Sequence, residues 1–241
     1  MKSKILCLLS FVLVMASGAA QSTAISLFDW GLNIDGNIYS TPATLPGSAN
    51  SAGFDFTTGL GSISVEHDGA VAHPDPHSVD LFVDHDIDRA VNSYFNETAA
   101  VTSSPALGQS WEIDEPGFVD GDIYFFNFID SLLDNGIGTS VYGDTTFPDD
   151  VSMAMGWDFN LSNLEIATVN FSLSDIMPTG GFYLTQSDPD SVADSSNQLD
   201  PVLHSSVYFA SNMNTRTVPE PTTLLLMGLG LLGLGAARRK S

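Results

Sequence analysis

Glu165-Ile166-Ala167-Thr168-Val169-Asn170-Phe171-Ser172-Leu173-Ser174 decides the fold class. Ala167, Val169, Phe171 and Leu173 alternate with Thr168, Asn170 and Ser172. This period of two sets one face of an extended strand on a core and the other in water. The pattern recurs on either side. Between Gly61 and His67, Ile63 and Val65 stand among polar neighbours; over 79–86, Val79, Leu81, Val83 and His85 share one face opposite Asp80, Phe82, Asp84 and Asp86. Ser26–Leu32, Val151–Leu161, Gly181–Thr185 and Ser205–Ala210 are further strand candidates, separated by turn-rich stretches at 41–53, 143–150 and 187–201. Helical spacing is confined to Ile87–Phe95 and Ile123–Leu133. Many short strands with frequent turns predict a mainly β chain folded as a single antiparallel β-sandwich, of jelly-roll or immunoglobulin-like type.

Both ends of the 241-residue chain differ from this middle. Lys2 and Lys4 precede an apolar run from Ile5 to Met15, and Ala16-Ser17-Gly18-Ala19-Ala20 supplies small residues. That is the layout of a signal peptide over residues 1–20, cut by signal peptidase after Ala20, with Ala24 as the second choice. Cys7, the only cysteine, lies inside the apolar run, so the exported part has no thiol chemistry and no disulfide. At the other end, Val218-Pro219-Glu220-Pro221 leads into an apolar run from Thr222 to Ala237, closed by Arg238-Arg239-Lys240-Ser241. The prolines stop a helix and favour extended backbone, which presents Glu220 on a stiff peptide. As a helix the apolar run would reach about 24 Å, against a hydrocarbon core of about 30 Å. It is short for a permanent span and suited to a temporary one, with the basic end on the cytoplasmic side.

The tail so composed resembles the PEP-CTERM sorting domain of Gram-negative bacteria. The resemblance carries Val218, Pro219, Glu220 and Pro221 over as the recognition motif, and Arg238, Arg239 and Lys240 as the basic end. It implies an exosortase-type membrane enzyme as processing partner. It also implies transient anchoring by a C-terminal transmembrane helix, release to the cell surface or medium, and association with extracellular polysaccharide and biofilm. Three blocks of the middle are similar to stretches of other PEP-CTERM proteins: Phe82–Asp88 with Phe95-Asn96-Glu97, Ser110–Gly117 and Asp150–Phe159. These bring no activity with them. They support one exported module over residues 25–215, within an acidic domain at 21–217 that is followed by the sorting signal at 218–241, with Thr215–Val218 as a short polar tether.

Residues 21–217 hold 28 of the 29 acids but only Arg89 and Arg216 among the basic residues, a formal charge of −26. Such a body repels nucleic acid and anionic membranes, which excludes a nucleic-acid role. Solubility outside the cell is the plain reading; cation binding is the sharper one. Asp84, Asp86 and Asp88 form an Asp-x-Asp-x-Asp run of calcium-loop type, although Arg89 and Phe95 stand where an EF-hand needs glycine and glutamate. The competing reading is a solvated acidic edge. Asp188-Pro189-Asp190 is a weaker case of the same kind.

His67, His73, His77 and His85 fall within twenty residues of one another. His73-Pro74-Asp75-Pro76-His77 presents two imidazoles and a carboxylate on a rigid turn. Zinc or copper uses such a set, with a fourth ligand from His67 or His85. A proline-rich acidic loop that merely carries polar rings is the weightier reading, and His85 reads as a satisfied, partly buried core residue. Enzyme signatures are absent: no Gly-x-Ser-x-Gly elbow, no His-Glu-x-x-His helix and no phosphate loop. Trp30, Trp111 and Trp157 read as core residues before they read as a sugar platform. Glu112, Asp114 and Glu115 supply acid pairs of little specificity. The expectation is therefore a non-catalytic exported surface or matrix protein without a required cofactor. The alternative is a secreted carbohydrate-active or metal-dependent hydrolase.

Overall fold

The computed structural model describes residues 25–70, 76–87, 97–116, 122–138, 150–188 and 205–218, with Leu226, Met227, Leu229 and Arg238 of the tail. The expected signal peptide, Asp88, His73 and most of the sorting segment lie outside the described residues. Twelve strands account for nearly all regular structure among the described residues. β1 (Ile25–Ile34), β2 (Asn37–Tyr39), β5 (His77–Ile87), β7 (Gln109–Asp114), β8 (Gly136–Ile137) and β9 (Ser152–Phe159) build a first sheet. Its order is β2-β1-β5-β9-β7-β8, antiparallel except for the β7–β8 pair. β3 (Ala49–Asp55), β4 (Leu60–Asp68), β6 (Thr98–Thr102), β10 (Glu165–Ser174), β11 (Tyr183–Asp188) and β12 (Ser205–Thr217) build a second, wholly antiparallel sheet in the order β3-β4-β10-β12-β11-β6.

One apolar core lies between the sheets. Leu32, Leu81, Val83, Met153 and Met155 of the first meet Ile63, Val65, Val169, Phe171 and Phe209 of the second. The alternation of β10 is realised as expected: Ala167, Val169, Phe171 and Leu173 are buried, and Thr168, Asn170 and Ser172 face outward. Trp30, Trp111 and Trp157 are core residues.

The first sheet is covered on its outer side too. Ile123–Asn127, expected as part of a short helix, forms one wide π-helical turn, and Phe128 and Leu133 follow it across the sheet. Phe82 and Ala154 pack beneath this strap, together with Ile123, Phe128 and Leu133. Coverage on both faces explains why β5 and β9 are buried along nearly their whole length, where alternation anticipates one wet face. The backbone of Gly31 on β1 approaches the strap closely, and a Cβ there would meet the Phe128 ring at 2.8 Å.

Five strands escape the sequence reading. β2, β6 and β8 are too short for alternation to show, β3 falls in a stretch read as turn, and β7 carries Glu112 and Asp114 inside the fold. The proposed tether is also corrected. β12 continues through Thr217, which pairs with Glu165, and the Val218 N–H donates to the Leu164 carbonyl at 2.6 Å. Among the described residues no helix is long and apolar enough to cross a membrane.

Gly31→Ala is expected to push Phe128 off the sheet and cost about 1–3 kcal/mol, as over-packing does. Urea midpoints check this. Combining it with Phe128→Ala should cost less than the two single changes added, because the second removes the clash of the first.

Candidate functional site

Two polar constellations occupy opposite ends of β5. The first begins with the Asp35-Gly36 turn between β1 and β2. Asp35 (φ 50°) and Gly36 (φ 78°) both have positive φ, as a two-residue hairpin turn requires. The turn is held by the Gly36 N–H donating to Asn33 Oδ1 at 2.9 Å. It aims Asp35 at the start of β5, where the Ser78 N–H donates to Oδ1 at 2.9 Å and His77 Nδ1 lies 3.2 Å from Oδ2. From the other sheet, His67 near the end of β4 brings its Nδ1 to 3.8 Å from the same Oδ2. The two imidazoles lie 4.9 Å apart, and Phe159 of β9 packs on both at 5.5 and 5.6 Å. One donor atom from each of Asp35, His67 and His77 falls within 4.8 Å of the others.

The structure thus unites two of the four clustered histidines and adds a carboxylate 32 residues upstream. Sequence reasoning missed Asp35, although Asp-Gly is a strong hairpin signal and would have placed it at a sheet end. His85 lies at the far end of β5 and is fully buried. Its Nε2 is 3.4 Å from the Gly59 carbonyl, while Nδ1 has no hydrogen-bond partner among the described residues. It is therefore less satisfied than expected. Burial lowers its pKa to about 4, so the ring is neutral.

The second constellation collects the three blocks singled out in the sequence, because β5, β9 and β7 are neighbours. Asp84 and Asp114 both pair with Ser152 across the first sheet. Asp84 and Asp86, expected on a calcium loop or a solvated edge, are buried at 3% and 7% exposure, as are Glu115 and Asp188. Their burial overturns the solvated-edge reading.

Glu97 completes this end. Its Oε2 accepts from the Val151 N–H at 3.0 Å and from Gln186 Nε2 at 2.7 Å, and Gln186 Nε2 also donates to the His85 carbonyl at 2.7 Å. Burial pushes the Glu97 carboxyl up to about 9, with smaller upward pushes from Asp150 and Asp84. At neutral pH Glu97 is a protonated, neutral acid. Burial likewise raises Glu112 to about 8, Asp80 to about 7 and Asp114 to about 6. Glu112 accepts from Asn127 Nδ2 at 3.0 Å and the Asp134 N–H at 3.1 Å, and Asp80 from Ser131 Oγ at 2.6 Å. These acids fasten the strap to the sheet. Glu112, Asp114 and Asp122 also converge within 4.8 Å, but they offer carboxylates alone.

The comparison with protein families agrees with the tail. The model of the PEP-CTERM protein-sorting motif matches residues 217–240. The chain is an exported protein of mainly β structure that is sorted by way of the membrane. It carries the PEP-CTERM signal, which implies processing by an exosortase-type enzyme. No curated protein and no solved structure matches it.

In the folded chain Glu97 keeps its proton up to about pH 9, whereas an unfolded glutamate releases it near 4.5. The stability this confers is complete below about pH 4.5 and is lost as pH rises to about 9, at about 1.4 kcal/mol per pH unit for one proton. Glu97→Gln keeps an acceptor for Val151 and Gln186. Its urea midpoint should fall less steeply from pH 5.5 to 8.5 than that of the unaltered chain. An unchanged slope would remove Glu97 from this role.

Proposed function

We propose that this is a non-catalytic surface or matrix protein, a β-sandwich delivered by its sorting tail, that associates with extracellular polysaccharide through the outer face of the second sheet. The observation that carries this reading is the scarcity of charge on that face in so acidic a chain. Across β4, β10 and β12 the outward rows are Glu66–Thr168–Asn214, Ser64–Asn170–Asn212 and Ser62–Ser172–Ala210. Asn212 Oδ1 accepts from both Asn170 Nδ2 (3.2 Å) and Asn214 Nδ2 (3.0 Å), which makes an exposed amide ladder. The charged groups gather at one end, where Arg216 lies 3.3 Å from Glu66 and shares a row with Ile166 and Asp68. Such a pair adds little stability but offsets one of the two acids there.

A surface of hydroxyls and amides meets sugar hydroxyls with reciprocal hydrogen bonds and repels an acidic polymer less than the rest of the body would. The family resemblance of the tail points to the same partner. The catalytic alternative draws less support, because the groups with the most displaced pKa values hold structure together through the strap and through Val151.

Affinity electrophoresis in gels cast with the exopolysaccharide of the producing bacterium should retard the protein. Asn170→Glu, which puts a charge in the middle of the amide rows, should weaken retention at least about tenfold, or about 1.4 kcal/mol. Equal migration with and without polysaccharide would overturn the assignment of partner. For the tail, replacing Pro219, Glu220 and Pro221 together by alanine should leave the full-length mass in the membrane fraction. Processing at the normal rate would show that the motif is not what the enzyme reads.

A further inference from the structure

We propose that Asp35, His67 and His77 bind a zinc ion that clamps the two sheets together. Three observations converge on it. The donor set is two imidazoles and a carboxylate, the nitrogen-oxygen combination zinc takes in cysteine-free sites. The spacing fits: neighbouring donors around tetrahedral zinc lie about 3.3 Å apart, and Asp35 Oδ2 is 3.2 Å from His77 Nδ1 and 3.8 Å from His67 Nδ1. The surroundings are those of a built site. The Ser78 N–H holds Asp35 Oδ1 and so points Oδ2 at the histidines. Phe159 backs both rings and shields them from water on that side.

The placement gives the ion a purpose. His77 and Asp35 belong to the first sheet and His67 to the second, so one metal would join segments separated by 10 and 32 residues across the interlayer gap. Small exported proteins commonly obtain such cross-links from disulfides. This chain has one cysteine, Cys7, in the expected leader. Binding energy that needs the preassembled site adds directly to folding stability. Three protein ligands leave one position of a tetrahedron for water or another group. The strong negative charge of the body favours any cation on approach. A polysaccharide role does not require this ion, so the two readings stand or fall separately.

The test uses the full chain in detergent, stripped with a chelator and titrated with zinc chloride in excess magnesium, which occupies the oxygen-only acidic sites. Calorimetry should register one zinc per chain, and the melting temperature should rise by several degrees once free zinc reaches about 100 times the dissociation constant. Asp35→Asn, His67→Gln and His77→Gln should each weaken binding more than about tenfold, the least that loss of even a residue merely supporting a ligand costs. Glu112→Gln should not weaken it. Cobalt substituted for zinc should give the intense visible bands of a four-coordinate ion, a readout that does not depend on a variant folding well. Absence of stoichiometric zinc in magnesium overturns the proposal. So does equal zinc affinity in the unaltered chain and the His67 and Asp35 variants, which would mean adventitious binding to surface carboxylates. Cobalt spectra of a six-coordinate, oxygen-bound ion would overturn it as well.

Discussion

Carboxylates buried in a chain almost devoid of cations are the constraint around which the first sheet is built. With 28 acids against two arginines over residues 21–217, ion pairing cannot balance the acids that folding takes from water. An isolated buried carboxylate costs far more than one hydrogen bond returns, so the group keeps its proton instead. Glu97 and Glu112 do so, Asp80 is pushed up to about 7, and each accepts hydrogen bonds from backbone, amide or hydroxyl donors. The neutral acids then behave as polar pins. Breaking one leaves donors such as the Val151 N–H unsatisfied, which is where such networks become expensive.

The strap follows from the same constraint. Asn33, fully buried on β1, donates to the Phe128 carbonyl at 2.8 Å and lies 3.0 Å from Ser131 Oγ; Ser131 in turn donates to Asp80. Ser131 and Asn135 accept positive φ to make these contacts. Trp111 closes the far end by exchanging backbone and side-chain hydrogen bonds with Asn135. Apolar contacts among Phe82, Ile123, Phe128 and Leu133 supply the burial; the polar pins supply the register. A greasy strap without pins could slide along the strands, and pins without the strap would be wet and ionised.

What the sequence reveals divides along this line. β10 is legible to the residue because one face is core and the other solvent, so its alternation is unopposed. β5 is legible as a strand but not as a doubly covered one, since Asp80, Asp84 and Asp86 look like a wet face until the strap and the protonated acids are known. β7 hides for the same reason, with Glu112 and Asp114 inside. The histidine site is half legible: composition flags His67 and His77, but only pairing of β1 with β5 delivers Asp35 to them. The sorting tail needs no tertiary information, because its grammar is linear.

The path of β12 ties these parts into one mechanical arrangement. His67, Ala167 and Thr215 form a row across β4, β10 and β12, and Thr217 pairs with Glu165 two residues further on. The histidine–aspartate cluster therefore lies at the end of the body from which the sorting motif departs. The Val218 N–H is bonded to the Leu164 carbonyl, so the chain is held in the sheet as far as the residue before Pro219. A pull on the chain beyond Val218 would be delivered first to this strand end. A strand loaded along its length resists best when its ladder must shear as a unit, and Tyr208–Thr217 of β12 pair with β10 without a break. A clamp joining the sheets beside that end would keep the load from peeling β4 and β10 off the core. The neutral amide rows lie along the same strands, further from Val218.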